Sequence, residues 1–366
     1  MKPVRLLLFV AAVSLLSREL SHGQTTTTTY PYEGVTRIDV TETSPRPENI
    51  HILEINLTAP GIHFELSPQS PAGGPGGTTQ GYANTTTTQQ TLGFMNQVHA
   101  QLAINTEFFI NTNGSAAVAT PMFGFAASDG NVYSPFQSSN ANTYAIVPNA
   151  PAINIDSANN AQVVTVGASS KTIAQSASVY NAVSGSAQII TNGVVTMPTY
   201  TESGGVLADG GGYSSSNSWY ANNNLAARSA IGLSQNDKTL YLFTVDDAGG
   251  SQGMTVAEMA GFLQSNFGVY NALNLDGGGS TTMSWVNPST GLSSDINVSS
   301  NSGGDRYVGA SLAVFASPTP EPGTMTLLFA AAGGGIACVA SRRRKTRQAR
   351  EVIQDIRSQP MGSVKK

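Results

Sequence analysis

The stretch Asn274-Leu275-Asp276-Gly277-Gly278-Gly279-Ser280-Thr281-Thr282-Met283 holds the densest chemistry in the chain. An apolar run ends in a carboxylate; three glycines and then a run of hydroxyls follow. Consecutive glycines cost backbone entropy and supply no packing, so a chain keeps them where something approaches the backbone closely or φ must be positive. A carboxylate, bare backbone N–H groups and hydroxyls together suit an oxygen-rich ligand such as a phosphate or a sugar. The same letters also describe a tight turn capped by its own acid. The surroundings must decide.

Those surroundings read as strand, helix, strand. Ser229 to Ser234 and Thr239 to Val245 are strands joined by the turn Gln235-Asn236-Asp237-Lys238. Thr255 and Glu258 stand at the spacing of a capping box. Val256, Met259, Ala260, Leu263 and Phe267 then share one helical face, and Gly268 is the stop. Ala272 to Leu275 is the next strand. A βαβ unit has parallel strands and a right-handed crossover. Asp246 and Asp276, each directly after its strand, are therefore expected at one edge of the sheet, where open α/β sheets bind ligands. The fold class expected is α+β: mixed, β-rich sheets with this βαβ unit in the second half, in a single catalytic domain.

The first half is less regular. Asn49 to Leu66 alternates apolar and polar about Ala59-Pro60-Gly61 and predicts a β-hairpin. Gln24 to Tyr30 is a threonine-rich leader with no core pattern and is expected to be disordered. Ser67 to Thr88 and Asp209 to Asn224 read as long loops. Thr91 to Ala100 is a short helix, Leu102 to Phe109 a strand, and Asn140 to Thr199 a series of short strands. Val308 to Ala316 closes the body.

The ends read as addresses. Lys2 and Arg5 precede the apolar run Leu6 to Leu16, and Ser21-His22-Gly23 completes a secretory signal peptide, residues 1–23. A leader, 24–48, precedes the main domain, 49–317. Pro320-Glu321-Pro322 then introduces an apolar run from Thr324 to Ala340, 17 residues long, followed by Arg342-Arg343-Arg344-Lys345. Such a run is at the short end of what spans a bilayer, and its basic flank is expected to stay cytoplasmic. Residues 318–345 thus resemble the PEP-CTERM sorting signal of exported bacterial proteins, which implies membrane retention and a processing protease as a partner. Residues 346–366 form a basic tail.

Charge narrows the partners. The whole chain is at −4, but residues 24–322 hold six cations against nineteen carboxylates, near −13. An acidic body disfavours nucleic acid and anionic lipid. It also gives weight to each cation inside a motif. The only cysteine, Cys338, lies in the C-terminal run, so the body has neither a disulfide nor a cysteine metal site. The four histidines all precede the second half. Ser-His-Asp chemistry and a histidine-rich zinc site are not expected.

Four segments now line up: Ala103 to Phe109, Ser184 to Gly193, Arg228 to Gly232, and Thr244 through Ser251-Gln252-Gly253-Met254-Thr255 to Ser280. In this order they resemble the phosphodiester glycosidase family, over roughly Asn49 to Ala316. The resemblance implies hydrolysis of a sugar-1-phosphodiester to a free sugar and a phosphomonoester. A lysosomal member removes N-acetylglucosamine from a phosphodiester on mannose. Carried over residue by residue, it implicates Asn105, Arg228, Asp246, Asn274, Asp276 and Gly277 to Gly279. After Asp246 other members often have Gly-Arg; this chain has Asp247-Ala248 and so lacks a possible phosphate-binding cation.

The chemistry assigns roles. Cleaving a glycosyl phosphodiester needs charge neutralised on the phosphate and a carboxylate near the anomeric carbon. Arg228 is expected to hold the phosphate, since a guanidinium can do so bidentately; Arg306 is a second candidate. Asp276 is the expected nucleophile or base. Asp246 is a partner acid or, with Asp247, a ligand for a divalent cation such as calcium, although no residue pattern requires a cofactor. Glu107 is a second catalytic carboxylate or an edge residue. Asn105 and Asn274 either orient sugar hydroxyls or bond to backbone. Ser280 and Thr281 are expected to donate hydrogen bonds, because no histidine is near in sequence to activate them. The alternative class is a non-catalytic carbohydrate-binding surface or biofilm protein, which the Thr, Asn and Gly content also fits. Actin-like ATPases share the Asp-Gly-Gly-Gly-Ser-Thr stretch, but their further nucleotide motifs are missing.

Overall fold

Alternating apolar residues build three antiparallel sheets in this chain, and two short helices cover them. The structure, a computed structural model, describes residues 23–69, 77–110, 116–137, 147–169, 171–196 and 225–319, with a short ladder of 200–201 on 206–207. The signal peptide, the loop 209–224 and the apolar C-terminal run with its basic flank lie outside the described residues. Residues up to Pro318 form one unit; Thr319 to Lys366 form another. Among the described residues no helix is long and apolar enough to cross a membrane.

The principal elements are β1 (Gln24–Tyr32), β2 (Val35–Glu42), β3 (Glu48–Asn56), β4 (His63–Leu66), α1 (Thr91–Val98), β5 (Leu102–Asn105), β6 (Ala126–Ser128), β7 (Asn131–Ser134), β8 (Ala152–Ile155), β9 (Ala161–Val164), β10 (Asn181–Ser184), β11 (Ala187–Thr191), β12 (Val194–Val195), β13 (Arg228–Leu233), β14 (Thr239–Val245), α2 (Val256–Phe267), β15 (Asn271–Asn274), β16 (Met283–Val286), β17 (Ser293–Asp295) and β18 (Ser311–Phe315). The main sheet has eight strands in the order β1-β2-β3-β14-β13-β15-β11-β12. A second sheet runs β17-β16-β5-β18-β4 and a third β7-β6-β10-β8-β9.

The main sheet is apolar on both faces at its centre. Tyr241, Phe243 and Val245 of β14 meet Val256, Met259, Ala260 and Leu263 of α2. Leu240 and Leu242 point the other way, with Leu53, Ile55, Ile231 and Leu273, against Leu102, Ile104, Leu312 and Val314 of the second sheet. Phe94 and Met95 of α1 pack with Ala103 and Ala313 on the far face of that second sheet. The layers are therefore helix, sheet, sheet, helix. Each fully buried Leu, Ile or Phe here contributes about 1.5–3 kcal/mol. As the sequence predicts, Thr255 and Glu258 close the capping box on α2, and Gly268 ends it in the left-handed conformation at φ 62°.

Several expectations are corrected. The βαβ unit is split: β14 and β15 are both antiparallel to β13, which lies between them. They point the same way, so Asp246 and Asp276 do share an edge, but no sheet here is mixed or parallel. The hairpin over Asn49 to Leu66 does not form. β3 already has β2 and β14 as neighbours, whereas β4 pairs with β18 in the second sheet. Ala59-Pro60-Gly61 is a crossing between sheets, and the alternating pattern reflects burial against a sandwich core. The leader is also ordered. Gln24 to Thr29 pairs residue by residue with Arg37 to Glu42. Backbone pairing, rather than apolar side chains, holds β1, whose threonines are largely exposed. Finally, Leu102 to Phe109 is interrupted at Thr106-Glu107, and that interruption lies in the site.

Candidate hydrolytic site

The site is assembled where β13 begins and β14, β15 and β5 end. The register pairs Arg228 with Val245 on one side and Ala230 with Asn274 on the other. Asp246 and Asp276 thus flank the start of β13, with strand axes about 10 Å apart at two ladder spacings.

The glycine turn is built against this edge. Gly278, at φ +58°, donates its N–H to the Ala227 carbonyl at 2.8 Å. Ser280 and Thr281 donate back to Gly277 and Gly278 and close a single 3-10 turn. Most of these N–H groups are thereby used within the protein, which the bare-backbone reading of the motif did not anticipate. Gly279 lets Arg306 lie close on the turn: a Cβ there would stand 2.5 Å from the guanidinium and push it aside. Arg306 Nη1 donates to Ser280 Oγ at 3.1 Å, and Ser280 in turn bonds to the Asp276 carboxyl. Arg306, Ser280 and Asp276 therefore form one chain across the turn.

Asp276 is buried, and that burial raises its pKa to about 6; Ser280, Arg306 and the Gly277 N–H pull the other way. Its backbone is held on both sides. Its N–H reaches the Thr106 carbonyl at 2.9 Å, and Asn105 Nδ2 donates to its carbonyl at 2.6 Å. Asn105 Oδ1 accepts from Ser229 Oγ and from the Thr282 N–H. Asn105 thus ties β5, β13 and the glycine turn together, the backbone-bonding alternative for this residue. Glu107 is fully buried, and desolvation pushes its pKa up to about 7. Its Oε1 accepts the Ser184 N–H at 3.1 Å. Asn274 Nδ2 donates to Ser186 Oγ at 2.8 Å. The Ser184-Gly185-Ser186 segment is therefore the link between Glu107 and Asn274.

Arg228 is the largest fully buried side chain, at 1% exposure. Its Nε donates to the Met254 carbonyl at 2.8 Å. Gly253 makes this possible, since a Cβ there would overlap the Ala226 backbone at 2.5 Å. The Gly-Met-Thr stretch thus both seats Arg228 and caps α2. Of the two arginines, Arg306 is the more accessible and lies on the glycine turn; Arg228 is the floor beneath it.

Asp246 belongs to a second cluster. Its Oδ2 accepts from the Val298 N–H at 3.2 Å and lies 3.4 Å from His51 Nε2. His51 Nδ1 is 2.7 Å from Asp39 Oδ1, and Asp39 is paired with Arg37 at 2.8 Å. Burial opposes charge on His51, but the bonds to Asp246 and Asp39 outweigh it and raise its pKa. The Ser251 hydroxyl accepts the Asn49 N–H and donates to the Asp246 carbonyl at 2.6 Å. Sequence reasoning missed His51, Asp39 and Ser251. One signal was available: His51 stands among isoleucines in a strand that is otherwise core.

Buried oxygens without a protein hydrogen-bond partner gather along this edge: Glu107 Oε2, Asp246 Oδ1, Asp247 Oδ1, Asn274 Oδ1 and Thr281 Oγ1. Such groups are rare in a finished core and concentrate where something else must bind. Among the described residues no group of three or more His, Cys, Asp or Glu side chains converges as a metal site.

Comparisons with known proteins identify the family. The family described as phosphodiester glycosidase matches residues 99–315, and the PEP-CTERM protein-sorting motif matches 318–345. The motif indicates export and sorting to the cell surface. No curated protein matches the chain. Among solved structures, a hypothetical protein from Synechocystis is similar at 17% identity and TM-score 0.53, over 80% of this chain and 64% of that one. The chain therefore spans less than two thirds of that relative. An exported protein from Burkholderia pseudomallei matches at 12% identity and TM-score 0.52, over 83% of this chain and 98% of that one. The zebrafish N-acetylglucosamine-1-phosphodiester alpha-N-acetylglucosaminidase catalytic domain, auto-inhibited by its pro-peptide, matches at 20% identity and TM-score 0.48, over 80% and 88%. On the family match, which spans more than half of its length, the chain belongs to the phosphodiester glycosidase family.

Proposed function

We propose that this exported protein hydrolyses a sugar-1-phosphodiester to a free sugar and a phosphomonoester, acting on phosphate-linked sugars of envelope or extracellular polysaccharide. The observation that carries the reading is the Arg306–Ser280–Asp276 chain laid over the glycine turn. Arg306 meets the phosphodiester anion, and Asp276 stands beside it to act at the anomeric carbon. Arg228, Asn105 and Met254 hold that frame from below.

The step balances simply. The bond from the anomeric carbon to the phosphate oxygen breaks, and that oxygen leaves with the phosphomonoester. Water supplies the new hydroxyl, either directly with Asp276 as base or after Asp276 has attacked as nucleophile. A phosphomonoester has a second pKa near 6 and leaves without full protonation. Neutralising its charge therefore matters more than donating a proton. Glu107, whose pKa of about 7 keeps it part-protonated near neutrality, is the candidate donor, and its contribution should be smaller than that of Asp276. Asp246, oriented by His51, closes the other side. Asn274 Oδ1 and Thr281 Oγ1 are left to meet sugar hydroxyls.

The test is release of free sugar by the purified full-length protein. The substrates are a methyl phosphodiester of N-acetylglucosamine and UDP-N-acetylglucosamine, with calcium or chelator, beside Asp276→Asn. Release that disappears in the variant supports the reading. No release from folded protein that still binds polysaccharide would favour the non-catalytic binding protein.

A further inference from the structure

A cavity of about 360 Å³ opens outside the cluster described above, with no residue of the glycine turn in its wall. Its wall includes Ser67, Thr86, Gln89, Phe94, Gln97 and Tyr307. No side chain lining it carries a charge. In a body this acidic, that absence is selective: the cavity offers no charged partner to a phosphate or a cation. It offers hydroxyls, amides and two aromatic rings, Phe94 and Tyr307, the set that recognises a neutral polyol. Gln89 Nε2 donates to Gln97 Oε1 at 2.8 Å. The bond is solvent-exposed and leaves the Gln97 donors and the Gln89 acceptor open to another partner. Tyr307 is half-buried and supplies an apolar ring face with a polar tip.

The sheet register sets where this cavity lies. Thr282, Asn105, Ser311 and Ser67 form a row along one edge of the second sheet. Asn105 bonds to the Thr282 carbonyl, Ser311 pairs with Asn105, and Ser67 bonds to the Ser311 carbonyl. Three ladder spacings put Ser67 about 14 Å from Thr282. The connection is also covalent. Arg306 sits on Gly279, Tyr307 lines the cavity, and Val308 pairs with Gln89 through two backbone bonds of 2.9 and 3.0 Å. One short segment thus runs from the glycine turn to the cavity wall. A polymer whose phosphodiester lay on Arg306 could place an uncharged sugar farther along its chain in this cavity.

We infer that the cavity is a neutral-saccharide subsite, so that the substrate is an oligo- or polysaccharide rather than a small phosphodiester. The inference rests on the proposed hydrolysis for its purpose, but its binding test does not. Unphosphorylated trisaccharides (N-acetylglucosamine trimer, cellotriose and isomaltotriose) are titrated calorimetrically into the full-length protein, with Tyr307→Ala and Gln97→Ala beside it. At least one trisaccharide should bind. Each variant should weaken that binding by about tenfold, with its thermal melt unchanged to show that it folds. Failure of all three to bind, or equal affinity in both folded variants, overturns the subsite. Sugar release from the methyl phosphodiester is measured separately. Release without trisaccharide binding sinks the subsite and leaves the hydrolase; binding without release does the reverse.

Discussion

Two carboxylates at one sheet edge are held in opposite ways. The Asp276 carboxyl is set by its own glycine turn, through the Gly277 N–H and Ser280, with Arg306 laid across, while Thr106 and Asn105 hold its backbone. Asp246 is set by residues far away in the chain: His51 on β3, Val298 in the loop before β18, and Asp39 on β2 behind the histidine. The Asp276 carboxyl meets Ser280 and the Gly277 N–H beside the Arg306 charge. The Asp246 carboxyl meets the Val298 N–H and His51 through one oxygen and leaves the other without a protein partner. Where paired acids differ in environment, their roles separate. On the proposed reading Asp276 is the reactive group and Asp246 a positioned one. It also shows that the N-terminal strands, outside the matched residues 99–315, build one wall of the site.

Four measurements would break or sharpen that contrast. The largest effect should come from Asp276→Asn, which keeps the shape and removes the reactive oxygen: kcat/KM should fall by about 10³ or more. An equal loss in Asp246→Asn would erase the distinction between the two acids.

Glu107→Gln comes next, through stability. Its pKa is raised from the ordinary carboxylate range to about 7. The folded state thus resists its ionisation, while the unfolded chain ionises from about pH 4. The stability tied to the neutral form is complete below about pH 4 and is lost as pH rises to about 7. The total is on the order of 3 kcal/mol. Thermal melts of the wild type should therefore fall across this window, and Glu107→Gln should flatten that fall. Parallel curves for the two proteins would show that Glu107 is not held neutral.

His51→Gln should cost about tenfold in kcat, in line with losing the partner that positions Asp246. Because His51 has a raised pKa, the wild-type pH profile should carry a limb above the ordinary histidine value that the variant lacks. A profile unchanged in shape would make His51 structural only. Thr255→Ala, which removes the α2 cap, should have the smallest effect: about 1 kcal/mol of stability, read by urea unfolding, with turnover of the remaining folded protein near normal.

Much of this was legible beforehand, for local reasons. The α2 cap, its buried face and its glycine stop are interactions within a few residues, so spacing alone reveals them. The shared edge of Asp246 and Asp276 follows from the direction of two strands, and direction survives even though β13 lies between them. Partner choice was not legible. The same alternation in β3 and β4 serves a hairpin or two separate sheets, and only competition for β14 and β18 decides between them. The threonines of β1 carry no burial signal because backbone bonds, which every residue can make, hold that strand.

The sequence by itself determined the local chemistry: an acid before three glycines, a capped helix, and cations scarce enough for each to matter. It also carried the sorting motif at 318–345. Tertiary structure alone decided which arginine is accessible, since the full burial of Arg228 and the half-burial of Arg306 depend on what packs over each. It decided as well that a histidine more than two hundred residues from the glycine turn helps to build the site. Contacts across the sheet depend on strand order, and no periodicity in a single chain encodes the order in which its strands meet.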